Sequence, residues 1–191
     1  PDQAIKAHQL DLGDTGGRVD HAVRVRDPEL GRQRVLNLGA GSRPKVKRHL
    51  KSTHANATPA TDGKHLVVSF GAEGLYCYDL DGNQLWKKDL GKLESGWFYD
   101  PDYQWGFGSS PVIHNGKAFV QCDAGKNSFI AAYQLDSGSE VWKTPRDEPP
   151  SWSSPTVVQG HAKAELVASG TKFARGYDAD TGKELWKIGR L

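Results

Sequence analysis

The chain has 191 residues, 37% of them hydrophobic, and carries 25 Lys and Arg against 23 Asp and Glu for a formal net charge of +2. That near-balance excludes binding of nucleic acid or membrane through overall charge, and with no run of about 18 apolar residues there is no membrane-spanning helix in the sequence. Cys77 and Cys122 are too few for a disulfide framework, and the lack of any methionine is expected of a mature or excised chain, not of a raw translation product.

Charge and aromatic content divide the chain at residue 51. Residues 1–51 hold eleven basic against six acidic residues, or +5, and residues 52–191 hold fourteen against seventeen, or −3. All eighteen Trp, Tyr and Phe lie in the second part, which is therefore the part able to build a core. The basic run Lys45-Val46-Lys47-Arg48-His49-Leu50-Lys51 closes the first part and reads as a solvated loop.

From residue 52 a unit recurs three times, each opening on a small hydroxyl residue and proline and closing on tryptophan: Thr58-Pro59 to Trp86, Ser110-Pro111 to Trp142, and Ser154-Pro155 to Trp186. Inside each lies a short apolar run, Val67–Phe70, Lys117–Cys122 or Glu165–Ala168. These runs follow the turns Asp62-Gly63, Asn115-Gly116 and Gln159-Gly160. Asn-Gly and Asp-Gly favour the positive φ of tight hairpins, so neighbouring strands should pair antiparallel. The second unit reads as four strands, Pro111–His114, Lys117–Asp123, Ser128–Leu135 and Glu140–Lys143, with no sustained helical periodicity. Residues 92–107, which include Trp97 and Trp105, form an insertion between the first and second units. Four-stranded units of this length with a late tryptophan describe propeller blades, here about 52–91, 108–147 and 152–191.

Each unit ends on a shared pattern of aromatic, acidic turn and tryptophan, fullest in Gly176-Tyr177-Asp178-Ala179-Asp180-Thr181-Gly182-Lys183-Glu184-Leu185-Trp186. That segment resembles the tryptophan-docking motif of pyrroloquinoline quinone-like repeats, found in quinoprotein alcohol dehydrogenase-like propellers and in the outer-membrane assembly lipoprotein propellers. Ala132 to Trp142 departs from it at Gln134, Ser137 and Ser139, and Cys77 to Trp86 fits with one deletion. The resemblance implies an all-β fold, a partial propeller of about three four-stranded antiparallel blades. Its structural docking residues would be Cys77, Trp86, Ala132, Trp142, Gly176 and Trp186, with each indole lying between adjacent blades. Residues 1–51 are a degenerate blade or a disordered lead. Val25 to Val35 can be laid on the same frame, with Val35 where tryptophan belongs.

Chemical constellations are few. Asp79-Leu80-Asp81-Gly82-Asn83 imitates the start of a calcium loop, but Leu90 stands where the bidentate Glu is needed, so it reads as a hairpin turn. Asn56-Ala57-Thr58 is a glycosylation sequon of low specificity. Seven scattered histidines lack metal-ligand spacing, and Ser109-Ser110 and Ser153-Ser154 precede prolines as strand starts. A quinoprotein dehydrogenase would need a complete ring, a held divalent cation, an Asp base and, in many members of the resembled family, an adjacent Cys pair that this sequence lacks. No catalytic, cofactor-binding or metal residue is therefore assigned. The loops leading into the inner strands supply a candidate binding face: His54, Trp97, Trp105, Arg146 and Trp152.

The expected function is a binding or scaffold module, periplasmic or extracellular by resemblance alone, meeting a protein, small-molecule or sugar ligand at the loop face and the remaining blades of a larger ring. The alternative is a segment of a pyrroloquinoline quinone-dependent alcohol or sugar dehydrogenase whose catalytic residues lie outside this chain. Only then would the quinone and calcium be cofactors.

Overall fold

Strands built from alternating apolar residues must bury both faces when sheets stack side by side, and the middle strands of the first and second repeats do this along most of their length. The computed structural model describes residues 6–14, 19–26, 33–40, 56–96, 107–160 and 163–189, and in its first three strands only the side chains of residues 22–24, 35 and 36. The expected all-β partial propeller is what it shows. A three-stranded antiparallel sheet of β1 (Lys6–Asp14), β2 (Val19–Arg26) and β3 (Gln33–Ala40) is followed by three four-stranded antiparallel blades. The first blade is β4 (Ala60–Thr61), β5 (His65–Ser69), β6 (Leu75–Asp79) and β7 (Gln84–Lys88). The second is β8 (Val112–His114), β9 (Lys117–Cys122), β10 (Phe129–Gln134) and β11 (Glu140–Pro145). The third is β12 (Thr156–Gln159), β13 (Ala164–Ser169), β14 (Phe173–Asp178) and β15 (Glu184–Gly189).

Within each blade the strands pair in chain order, and the first strands sit innermost, β8 touching both β4 and β12. The hairpin residues do what the sequence requires of them. Asn115 and Gly116 both take positive φ, 47° and 70°, and close a two-residue loop in which His114 faces Lys117. At the outer hairpin of the third blade the Asp178 carboxylate accepts the backbone N–H of Asp180 and Thr181, and Gly182 takes φ 70°. A register irregularity falls at the same place in all three blades, between Cys77 and Tyr78, Ala132 and Tyr133, and Gly176 and Tyr177.

The core is three layers, one at each junction between sheets. Val23 and Leu36 meet Leu66, Val68, Phe70 and Tyr78 at the first junction. Val67, Cys77 and Trp86 meet Ala118, Val120, Tyr133 and Leu135 at the second. Phe119, Ile130, Ala132 and Trp142 meet Leu166, Ala168, Tyr177 and Ala179 at the third. The alternation Leu66, Val67, Val68 sends neighbouring side chains to opposite junctions, so one strand serves two layers.

Each outer-strand tryptophan stands in register with a small residue: Cys77 opposite Trp86, Ala132 opposite Trp142, Gly176 opposite Trp186. The other face of the indole meets the following blade. A Cβ on Gly138 would lie 2.7 Å from Trp86, and one on Gly182 would lie 2.4 Å from Trp142. Trp86 Nε1 donates to Leu135 O at 2.7 Å and Trp142 Nε1 to Ala179 O at 3.2 Å, in both cases the carbonyl three residues before that glycine. At the first junction the frame differs from the sequence expectation. Leu36, 6% exposed and in register with Val23, takes the indole's place against Gly82, while Val35 is 52% exposed. The eleven-residue frame is one residue out because strand alternation, not similarity to the tryptophan motif, sets which side chain turns inward.

Gly182 and Gly116 share φ 70°, but the first carries an indole and the second has nothing within 4 Å of an added Cβ. Gly116→Ala should therefore cost only the strain of the left-handed conformation, about 1–2 kcal/mol. Gly182→Ala should cost a further 1–3 kcal/mol or so from overpacking against Trp142, read as the difference between two urea melts. The Asp178 carboxyl, held down to about 2 by the Lys163 ammonium and the N–H groups of Thr181 and Asp180, adds stability that is complete above its ordinary value of 3.8. That contribution should fade as pH falls from about 4 toward 2, and Asp178→Asn should flatten this limb of an acid titration followed by tryptophan fluorescence.

Candidate functional site

The connector leaving the second blade, residues 146–153, was expected to present its charges and its aromatic residue at the loop face. Most of it turns inward instead. Arg146 is 5% exposed, and its Nε and Nη2 clasp the Asp123 carboxylate at 2.7 and 3.1 Å. The same carboxylate accepts Ser151 Oγ at 2.6 Å and Gln121 Nε2 at 2.8 Å. Arg146 Nη1 then donates to Tyr177 Oη at 2.8 Å, joining the second blade to the third. Burial pushes the Tyr177 phenol up against the opposing pull of the Arg146 and Arg175 guanidiniums, so the neutral phenol receives that hydrogen bond. Arg146 is thus an internal tie and not a surface contact, because a guanidinium with a bidentate carboxylate in reach is better satisfied inside than any single loop would leave it.

A second tie follows directly. The Glu148 side chain is buried and accepts the backbone N–H of Lys172 at 2.7 Å and of Phe173 at 3.2 Å. Arg175 Nη2 reaches Glu148 Oε1 at 3.2 Å and the Asp147 carboxylate, and Nη1 reaches Glu184 Oε2 at 2.9 Å. The Arg175 guanidinium holds the Asp147 carboxyl below its ordinary range. Gly170 leaves the room: a Cβ there would be 2.5 Å from Glu148 Cδ. Asp147-Glu148 therefore plugs the β13–β14 hairpin of the next blade.

Trp152 does lie on the surface, 51% exposed, with Cδ1 3.3 Å from the position of a Cβ on Gly108. Asn56 Cβ approaches the same glycine from the first blade at 3.9 Å. Around the inner strands runs a relay of hydroxyls: Thr58 N donates to Ser110 Oγ at 2.8 Å and Ser110 N to Ser154 Oγ at 2.9 Å. Ser109 Oγ also donates to Ser153 O at 2.6 Å. His54, Trp97 and Trp105 lie outside the described residues, as does the basic run 45–51. Of the five candidate face residues, the described structure brings only Trp152 to an exposed position next to the inner strands.

The residues that sequence reasoning missed are Gln121, Asp123, Glu148, Arg175 and Tyr177. The ties from Asp123 to Arg146, Glu148 to Phe173 and Arg146 to Tyr177 span 23, 25 and 31 positions, so no local pattern pairs them. The one legible signal was Arg146-Asp147-Glu148, a charged triplet ahead of Pro149-Pro150 in a stretch otherwise poor in charge.

These donors do not fit a cation with a quinone. Both oxygens of Asp123 are held by Arg146, and both oxygens of Glu148 by backbone N–H groups, so a metal would have to displace a buried guanidinium or unpair the backbone. Among the described residues no group of three or more His, Cys, Asp or Glu side chains is placed to hold a metal ion. The cysteines are free thiols, with Cys77 pushed up to about 12 by burial and Cys122 also raised by burial.

Residues 2–188 match the family model described as outer membrane protein assembly factor BamB. No curated protein matches the chain in sequence. Among solved structures it is similar to a europium-containing methanol dehydrogenase, with TM-score 0.59 and 12% identity over 98% of this chain and 42% of that one. It is similar to BamB from Moraxella catarrhalis, with TM-score 0.56 and 12% identity over 93% of this chain and 50% of that one. It is also similar to quinohemoprotein alcohol dehydrogenase from Comamonas testosteroni, with TM-score 0.59 and 14% identity over 96% of this chain and 36% of that one. The chain thus spans half the length of these structures or less, and at such identities the likeness is one of fold.

Removing Arg146 leaves the Asp123 carboxylate buried without its cation, so Arg146→Ala should cost about 3–5 kcal/mol in urea unfolding. Replacing both partners by leucine or methionine should recover part of that loss, because no charge is then stranded. Trp152→Ala should stay within about 1 kcal/mol of the parent.

Proposed function

The chain belongs to the family of the outer membrane protein assembly factor BamB, and from that premise we propose that it serves as a binding or scaffold module outside the cytoplasm, without a complete catalytic site of its own. The observation that carries this reading is the state of the carboxylates beside the inner strands. Asp123, just after β9, and Glu148, in the connector leaving β11, are both consumed in holding the second blade to the third. A group that must stay ionised and paired for two blades to adhere is poorly suited to act as a base or a metal ligand.

The remaining polar features around the inner strands are hydrogen bonds between blades, which make a rigid platform. Trp152, exposed above that platform, supplies the kind of aromatic anchor that protein and sugar ligands use. The extracytoplasmic location rests on the family's own description as an outer membrane assembly factor.

A second reading, part of a quinoprotein dehydrogenase, is favoured by the fold likeness to the methanol and alcohol dehydrogenases. The sequence flanking this chain in its gene separates the two: further tryptophan-ended repeats with an adjacent Cys pair and metal-binding acids support the second reading, and flanks with none of these sink it, whereas an assay of the chain alone tests whether it is catalytic by itself. The purified chain, mixed with pyrroloquinoline quinone and calcium, should give neither a shifted quinone absorbance nor dye-linked alcohol oxidation above a protein-free control. Clear turnover sinks the non-catalytic reading.

A further inference from the structure

Each junction between two blades has one charged contact at the start of a second strand. In the first blade His65 Nε2 stands 3.3 Å from Asp136 Oδ1 of the second, and in the second blade Lys117 Nζ stands 2.7 Å from Asp180 Oδ1 of the third. Both aspartates belong to the turns that seat the indoles. Asp136 lies between Leu135, whose carbonyl takes the Trp86 N–H, and Gly138, whose bare backbone meets the Trp86 ring; Asp180 lies in the same way between Ala179 and Gly182 beneath Trp142. One repeat position thus carries a lysine at one junction and, at the other, a histidine, the side chain whose ordinary change of charge falls between about pH 5 and pH 8.

The His65 ring is held from both sides. Asp62 Oδ1 accepts the backbone N–H of Lys64 at 2.9 Å and of His65 at 2.7 Å, which fixes the carboxylate and turns Oδ2 onto His65 Nδ1 at 3.0 Å. Burial would raise the Asp62 carboxyl, but the His65 N–H, the His65 ring and the Lys64 N–H outweigh it and hold the group below its ordinary value of 3.8. A neutral ring has one N–H for two carboxylates. With that proton given to the nearer acid, Asp62, the lone pair of Nε2 is set against the Asp136 carboxylate, whereas a ring with both protons faces each acid with an N–H. The other charged or titratable groups beside the ring do not compete for Nε2. Lys64 is part of the same turn, Asp79 stands across the strand pair with its carboxylate taken by Asn83 and the N–H of Asp81, and burial pushes the Cys77 thiol up to about 12 and so keeps it neutral.

We propose that His65 is a proton-operated latch between the first and second blades: a second proton on its ring turns the contact of Nε2 with Asp136 from repulsion into an ion pair and fastens the turn that seats Trp86. Lys117 makes the equivalent contact with Asp180 without a switch, so acid tightens one junction and leaves the other unchanged. The charged ring is the form that the folded junction favours. The added stability is therefore complete at the acid end of the histidine range and is lost as pH rises through it. Its size is modest, because the Asp136 side chain is 92% exposed and water screens the pair. The latch goes beyond the reading of the chain as a binding module and does not depend on what the loop face binds.

The test is urea unfolding of the full chain at about pH 5.5 and about pH 8, for the parent, His65→Lys, His65→Gln and Asp136→Asn. The fall in pH should lower the unfolding constant of the parent about two- to fivefold more than that of any variant, as expected of one screened ion pair. The other histidines are common to all four proteins and cancel in the comparison. An equal pH response in the parent and the two His65 variants overturns the proposal. A response that survives Asp136→Asn also overturns it, because the proton then acts through Asp62 inside the first blade. In the folded parent the Trp86 indole N–H resonance, followed by NMR, should move over the same pH range and stay fixed in His65→Gln, and a resonance that stays fixed in the parent overturns the latch as well. The quinone assay reads none of these quantities, so its failure and the failure of the latch are distinguishable.

Discussion

An indole that must lie flat between two sheets sets most of what the rest of the chain is allowed to be. Its own blade has to give a small residue across the strand pair, and the next blade has to arrive with a bare backbone, which is why Gly138 and Gly182 meet Trp86 and Trp142 at distances no Cβ tolerates. The positive φ of these glycines serves the turn and the missing side chain serves the neighbour, so one residue answers two demands. Area, not the indole N–H, dominates the energetics. A buried aromatic is worth about 3–5 kcal/mol on truncation, against roughly 0.5–1.5 kcal/mol for a hydrogen bond. The N–H to Leu135 O or Ala179 O fixes how the ring lies and so fixes the angle at which blades meet.

Charge has the complementary task. Apolar layers hold sheets together without saying which side chain sits opposite which, and the polar ties supply that register. Asp123 with Arg146 and Tyr177, and Glu148 with Arg175, cross from the second blade to the third inside the protein. A buried pair of this kind adds little net stability over an apolar substitute, but losing one member is costly, so each tie penalises any misplaced blade. Likeness of fold to the dehydrogenases is a matter of the indoles and small residues that meet between blades, and it carries no chemistry with it.

The parts legible in the sequence were those written locally. Asn115-Gly116 closes the hairpin it was expected to close, and the Thr-Pro or Ser-Pro starts and tryptophan ends bracket the blades because each is a short-range signal. The strands of the second blade fall within two residues of where the alternation put them. Leu36 was misjudged as Val35 because no aromatic marks the inward position there, and only pairing with Val23 reveals which of two adjacent residues turns inside. Arg146 was misjudged as a surface residue because its loop is polar and its partner is 23 positions away. Loop composition carries no information about a carboxylate that the fold alone brings near. Trp152, the other described residue of the expected face, is 51% exposed beside a serine-rich strand start.

The junctions also have a direction, and the first and last described sheets show it. Every blade gives an indole forward and a turn backward, so any row of blades has one turn without an indole before it and one indole without a turn after it. At the first position Leu36 fills the gap over Gly82 with an aliphatic side chain, which covers the turn but has no N–H to fix an angle. At the last, Glu165 takes the indole N–H and the ring leans onto Gly176, where a Cβ would be 2.2 Å away, although Cys77 and Ala132 carry a Cβ opposite their own tryptophans. The glycine is what lets the third ring settle against its own sheet. An acid that holds the N–H and a glycine that admits the ring together seat Trp186 against its own sheet, with Glu165 at the position that His65 and Lys117 take in the two blades before it.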